Sequence, residues 1–372
     1  ADAVDSNTGQ IDPVSSDAAA AGSPWPLVAS SIMAAENVPV AFVPTAMGGT
    51  SILAWQPGAN HSDPSTLYGS MNRRITAAGG NVRAILFFQG ERDAKDGTTQ
   101  ATYETRMNTF VNTANSDFPG LQTMIGQIGQ SGSAYPGKDE VRAGQINVSH
   151  TNANAILGPV TYDINLVDEG GDNVHFKSDS DMAAFAERWY KAIDKAFYGG
   201  TNGYGPIVDN LLLDYNGGVD KVIAYFNDDT SPVIDPTSTV ATTSFELKNN
   251  GIAVSISSVN IVGNTVEITP ASPLNTSQSL TLTYASLNTG VDAAIYDDDG
   301  LPAENFYSIT IDCAGIDSYP YTETFDLWTT SSPTTTCTPD GSVLLSDCWT
   351  NVSGDDIDWD VHSGSTGSIG TG

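Results

Sequence analysis

Through its first two hundred residues the chain alternates short apolar runs with longer stretches of helical spacing. "VPVAFVPTA" (38–46), "VRAILFFQG" (82–90), "LQTMIGQIG" (121–129) and "AILGPVTYDINLV" (155–167) are apolar over a strand's length and end in small or polar residues. Between them, 25–37, 100–115, 140–153 and 181–197 place apolar residues three and four apart, the spacing of a helix with one buried face. Strands apolar on both faces and separated by such helices predict a parallel sheet covered on each side, a three-layer α/β/α domain over residues 1–200. In that architecture ligands sit beyond the carboxyl ends of the strands.

The texture changes at "YGGTNGYGP" (198–206). Beyond it helical spacing gives way to β-branched alternation: "IAVSISSVNIVGNTVEITP" (252–270), "SLTLTYASL" (279–287) and "FYSITIDC" (306–313). "VGNTVEI" and "DDDG" supply hairpin and turn chemistry, so 207–312 reads as a β-sandwich of ordinary domain size. "AGIDSYP" (314–320) reads as a linker. The Trp-, Asp- and Gly-rich 321–372 reads as the opening of a further β domain, cut short.

Charge narrows the partners. Lys and Arg number 14 against 44 Asp and Glu, a net of −30, and residues 201–372 hold only 2 of those bases against 23 of the acids. Such a field repels phosphate backbones and anionic lipid, which argues against nucleic acid. No run reaches the roughly 18 apolar residues of a membrane span. An acidic, Lys-poor, Thr/Ser/Asn/Gly-rich chain suits a secreted bacterial protein, extracellular or at the cell surface. The start, "ADAVDSNTGQ", has neither the basic head nor the apolar stretch of a signal peptide.

Cys313, Cys337 and Cys348 have no zinc spacing. Cys337 and Cys348 bracket a short loop that an oxidising compartment can bridge. Asp297, Asp298 and Asp299 read as a solvated turn before Gly300, with calcium ligation the alternative. "GQIGQSG" lacks the glycine spacing of a dinucleotide site and there is no phosphate-cradling G-x-x-x-x-G-K-[ST], so no cofactor is expected.

Three signatures carry chemistry. "TAMGGTSILAW" (45–55) follows an apolar run; Gly48 and Gly49 either turn backbone N–H groups toward a developing oxyanion or simply make a tight turn. "FFQGERDA" (87–94) sets a Gln89 amide, with two N–H donors, at another strand end, and Glu91 beside it to fix the loop. "DNVHF" (172–176) holds Asp172 three residues before His175, the spacing at which a turn lets a carboxylate orient an imidazole base. His61 and His150 have no such neighbour along the chain and read as loop or helix-face residues, and His362 belongs to the tail.

In this order the three resemble the SGNH-hydrolase superfamily, in its sialate O-acetylesterase and acetylxylan-esterase branch. "GSPWPLVASSIMAAENVPVAFVPTAMGGTSILAW", "ILFFQGERDA" and "DNVHF" carry the resemblance, over about residues 11–197. It implies serine-ester hydrolysis, typically deacetylation of carbohydrates, with His175 as base, Asp172 as its orienting carboxylate, and Gly48, Gly49 and Gln89 at the oxyanion. Trp55 is a candidate sugar platform or a core aromatic. The family's nucleophile stands in an early Gly-Gln-Ser-Asn block after a strand. Here "AVDSNTG" offers Ser6 without such a strand, so the block is expected upstream of Ala1.

Residues 207–312 resemble immunoglobulin-like repeats of the SwmB type, and 321–372 the start of a MAM-like jelly roll. Those resemblances imply glycan or cell-surface contacts. The competing reading of the whole is a non-catalytic carbohydrate-binding or adhesion protein on an esterase-like scaffold. A lipid-directed SGNH enzyme is a third.

Overall fold

The computed structural model describes residues 23–129, 134–164, 166–167, 174–176, 178–216, 219–227, 234–275, 278–286 and 295–313. Asp172, Ser6, Cys337, Cys348 and the whole of 321–372 lie outside the described residues.

The first region contains six helices among the described residues: α1 (Trp25–Glu36), α2 (Leu67–Ala77), α3 (Glu91–Lys95), α4 (Gln100–Asp117), α5 (Lys138–Thr151) and α6 (Asp179–Phe197). Their ends follow local chemistry. Pro24 and Pro26 open α1, where missing N–H groups cost nothing, and Asn37 closes it in the left-handed conformation at φ +53°. Thr66 Oγ1 caps α2 through Gly69 N at 3.0 Å, and Ser178 Oγ caps α6 through Asp181 N at 3.2 Å.

Strands β1 (Ala84–Phe88), β2 (Gln122–Gly126) and β3 (Ala155–Leu157) form a parallel sheet in that order. Side chains alternate across β2: Met124 joins Val28, Ile32, Phe185 and Trp189 of α1 and α6 on one face, while Ile125 joins Phe110 and Val111 of α4 and Val141 and Val148 of α5 on the other. That is the covered parallel sheet the apolar runs predicted. A short antiparallel pair, β4 (Leu166–Val167) with β5 (His175–Phe176), stands apart from it.

One expected strand is missing. Residues 38–46 form no strand with any described residue, although Val38, Val40 and Phe42 pack with Leu86 and Phe88 of β1. A strand needs a partner for its backbone groups, and this run has none among the described residues.

Beyond Gly205 the described residues form nine strands in two sheets. Strands β6 (Ile207–Asn216), β7 (Val219–Asn227), β10 (Ile256–Val262), β11 (Thr265–Pro270) and β14 (Asp312–Cys313) make one, in the order β10-β11-β7-β6-β14. Strands β8 (Phe245–Asn249), β9 (Ile252–Val254), β12 (Leu280–Tyr284) and β13 (Phe306–Thr310) make the other, in the order β13-β12-β8-β9. All pairings are antiparallel except β14 with β6. Leu211, Val222 and Ile268 of the first sheet share one core with Leu247, Leu282 and Tyr284 of the second. Val160 and Tyr162 of the first region belong to that same core. At the "DDDG" turn Asp297 Oδ1 accepts from the backbone that follows it, from Asp299 N at 3.0 Å and Leu301 N at 2.7 Å. No helix among the described residues is long and apolar enough to cross a membrane.

Candidate active site

The site is built where β1 ends. After Phe88 the chain leaves through Gln89, Gly90 and Glu91 into α3. Gly90 stands at φ +152°, and a Cβ there would meet Val141 Cγ1 at 2.8 Å and Ile128 Cγ2 at 2.9 Å. Backbone conformation and space both demand glycine. This turn sends the Gln89 side chain across to the other glycine signature. Its Nε2 donates to Thr50 O at 3.0 Å and to Asp93 Oδ2 at 2.7 Å.

The Gly48–Gly49–Thr50 turn is fixed from its own side too. Gly49 has φ +70° with open space around it, so conformation rather than crowding selects glycine. Thr50 Oγ1 donates to Met47 O at 2.7 Å and accepts from Trp55 Nε1 at 3.0 Å. Two signatures some forty residues apart are thus fastened together at one end of the sheet.

Asp93 is the hub of that fastening. It is fully buried, and beside Gln89 its Oδ2 accepts from Ile52 N at 2.7 Å. Its Oδ1 accepts from Thr98 Oγ1 at 3.2 Å and lies 3.9 Å from Arg106 Nη1. The Gln89 carbonyl is held as well, by Gln145 Nε2 at 2.7 Å and Tyr103 OH at 3.2 Å.

Glu91, partly buried at the start of α3, approaches the third signature. Burial raises its carboxyl above the usual carboxylate range. Backbone N–H groups of Glu91 and Gly90 and the imidazole of His175 pull it back down. His175 is therefore within electrostatic reach of the Gln-Gly-Glu loop. It is exposed on β5, opposite Val167, while its neighbour Phe176 stacks with Phe88 at 6.4 Å and Phe185 at 4.5 Å. That aromatic cluster seats β5 over the end of β1.

Gly48, Gly49, Gln89, Glu91 and His175 thus gather around the carboxyl end of β1, and Asp172 falls outside the described residues. Trp55 does not offer a platform: it is 5 % exposed, packs edge-on against Phe110 and spends its N–H on Thr50. It is a core aromatic. Sequence reasoning passed over Asp93, Thr50, Tyr103 and Gln145. The one available signal was the position of Asp93, one helical turn after Gln89 in "QGERD". His61 and His150, without neighbours along the chain, find distant carboxylates: His61 Nδ1 lies 2.9 Å from Asp117 Oδ1, and His150 Nε2 lies 2.9 Å from Glu304 Oε2.

A helix-covered parallel sheet with two glycine-turn loops and a histidine at its carboxyl end has the layout of an esterase-like α/β domain. Residues 10–193 match the family described as carbohydrate esterase, sialic acid-specific acetylesterase. A probable carbohydrate esterase of Arabidopsis thaliana is 26 % identical over 151 residues, which is 40 % of this chain and 53 % of that protein. The chain thus spans about half the length of the curated relative it matches. A solved Arabidopsis thaliana structure aligns at 23 % identity and a TM-score of 0.37, over 45 % of this chain and 68 % of that one.

Proposed function

We propose that the first region is the catalytic domain of a carbohydrate O-acetylesterase working through serine, His175 and Asp172. The observation that carries the reading is the Gln89–Thr50 bond, which joins the Gly-Gly turn to the Gln-Gly-Glu loop beside His175. The match to a carbohydrate-esterase family supports the substrate class.

The nucleophile in this reading is a serine, and Ser6 in "AVDSNTG" is the candidate of this sequence. Its Oγ attacks the acetyl carbonyl while His175, oriented by Asp172, takes the proton. The N–H groups of Gly49 and Gly48 face the oxyanion, joined by Gln89. One Gln89 hydrogen rests on Thr50 O, and a charged oxyanion outcompetes a carbonyl for it. His175 then protonates the departing sugar hydroxyl, and water repeats the sequence to release acetate. The β region contributes glycan or cell-surface contacts, and the acidic, Lys-poor surface fits an extracellular setting.

The test is fluorophosphonate labelling of the full-length chain with peptide mapping, alongside acetate release from acetylated sugars. One labelled serine and acetate release, both lost in His175→Ala, are expected. A full-length chain that takes no label and releases no acetate overturns the esterase and leaves a binding protein.

A further inference from the structure

Asp93 stands inside "FFQGERDA" without any of the roles given to that signature, yet it joins the Gln89 side chain to the backbone that follows the Gly48–Gly49–Thr50 turn. One oxygen, Oδ2, receives both Ile52 N and Gln89 Nε2 at 2.7 Å. Ile52 opens the short helical turn Ile52–Trp55 that follows Gly48–Gly49–Thr50, so the same atom holds the end of one loop and the side chain of the other. The second oxygen takes Thr98 Oγ1 at 3.2 Å, with Arg106 Nη1 at 3.9 Å.

We infer that Asp93 is the positioning residue of this site, fixing which way the Gln89 amide faces and holding it in register with the Gly48–Gly49–Thr50 turn. This rests on the esterase reading above. A carboxamide is nearly symmetric in shape, and only its hydrogen-bond partners decide whether N or O points to a given neighbour. Asp93 and the Thr50 carbonyl are both acceptors, so they demand the NH2 side. Tyr103 OH stands 3.4 Å from Gln89 Oε1, the position of a donor. A hydroxyl works in either orientation, so the orientation is set by Asp93 and Thr50. Without Asp93 the amide is free to turn its oxygen toward the place where negative charge develops. Its donation becomes a repulsion.

A fully buried carboxylate with four donors around it is costly to keep unless those donors need an acceptor there. Asp93 supplies one while leaving the reacting groups untouched, so its effect appears in the chemical step and not in substrate affinity.

The experiment is a double-mutant cycle in the full-length protein with an acetylated sugar and p-nitrophenyl acetate. Asp93→Ala is expected to lower kcat about 10²-fold, the scale of a catalytic group displaced by an ångström. KM should stay within about threefold, because binding energy common to ground and transition states is unaffected. Asp93→Asn, which keeps an acceptor oxygen, restores most of the rate. Gln89→Ala/Asp93→Ala should be no slower than Gln89→Ala alone, since Asp93 acts through Gln89. Unchanged kcat in Asp93→Ala, or losses that multiply in the double variant, overturns the inference.

A second readout does not depend on activity or on Asp93→Ala folding. In protein labelled with 15N-glutamine, Asp93→Asn should move one Gln89 side-chain amide proton upfield, as a charged acceptor gives way to a neutral one. An unmoved Gln89 pair overturns the inference even if the parent hydrolyses no ester. A parent without activity but with that shift overturns the esterase and leaves the Asp93–Gln89 clamp standing.

Discussion

Gly90 shows how much of this site a single missing atom decides. Its φ of +152° is closed to side-chain-bearing residues, and the Cβ contacts at 2.8 and 2.9 Å fall on Val141 and Ile128, which are buried core. Gly90→Ala is expected to cost about 2 kcal/mol or more through backbone strain alone. Chemical denaturation of parent and variant measures it; equal midpoints and slopes would show that the loop has another conformation open to it. The same residue explains what was legible. Gly49, Gln89 and His175 stood out because a glycine pair, a strand-end Gln-Gly-Glu and an Asp-x-x-His, each common alone, follow one another in that order. Asp93 did not, because the chain has 44 acidic residues and burial leaves no mark on the letter D. Its role appears only when residues 50, 52, 89 and 98 meet around it.

At the scale of elements, periodicity located what one buried stripe could define. Expected helices at 100–115, 140–153 and 181–197 fall at Gln100–Asp117, Lys138–Thr151 and Asp179–Phe197. The N-terminal end of α6 came earlier than the apolar spacing suggested because Ser178 caps it and Asp179 and Asp181 lie in its first turn, where carboxylates oppose the helix dipole. Ser178→Ala should therefore cost about 1 kcal/mol. For a chain of 372 residues that lowers Tm by only about 1–2 °C, readable by calorimetry. An unchanged Tm would mean that Asp181 or solvent satisfies the same N–H. The apolar pattern misjudged three places for separate reasons. Helix α2 carries Gly69, whose Cβ would run into the Asp63 carbonyl, and a polar "NRR" stretch that breaks its stripe. β6 and β7 are a long pair that begins directly after "YGGTNGYGP", where the texture changes. The run at 38–46 looks like a strand in every local respect, and strand pairing is not a local property.

At the scale of the whole molecule, the helical region and the β region meet in several polar contacts among the described residues. Tyr162 donates to Ala303 O at 2.8 Å and meets Tyr284 OH at 3.1 Å; Tyr296 OH reaches Asp163 Oδ2 at 2.9 Å, which Arg188 also grips. Fully buried Arg142 spans from Ile128 O at 3.1 Å to Ala285 O at 3.3 Å. The contacts between the two regions were not legible, because Tyr162, Asp163 and Arg142 each lie more than 100 residues from their partners in the β region. One of these junction contacts titrates. His150 on α5 meets Glu304, which is 6 % exposed on its side chain, and the hydrogen bond to that carboxylate raises the His150 pKa above 6.5 against the opposing effect of burial. A histidine whose pKa is raised by folding binds its proton more tightly in the folded state, so its contribution is full below pH 6.5 and is lost as pH climbs through the raised value. His150→Ala should then destabilise at pH 5.5 by less than about 1 kcal/mol, since the imidazole is half open to solvent. At pH 8.5 the gap should shrink, because a neutral imidazole still donates Nε2–H but no longer carries charge. Burial also pushes the Asp297 carboxyl up to about 6, and the stability it contributes is likewise lost as pH rises. Taking the difference between parent and variant at each pH removes that shared slope. Thermal unfolding of both proteins at the two pH values decides the matter: a gap that is the same at both would show that the junction is held by the tyrosines and arginines alone.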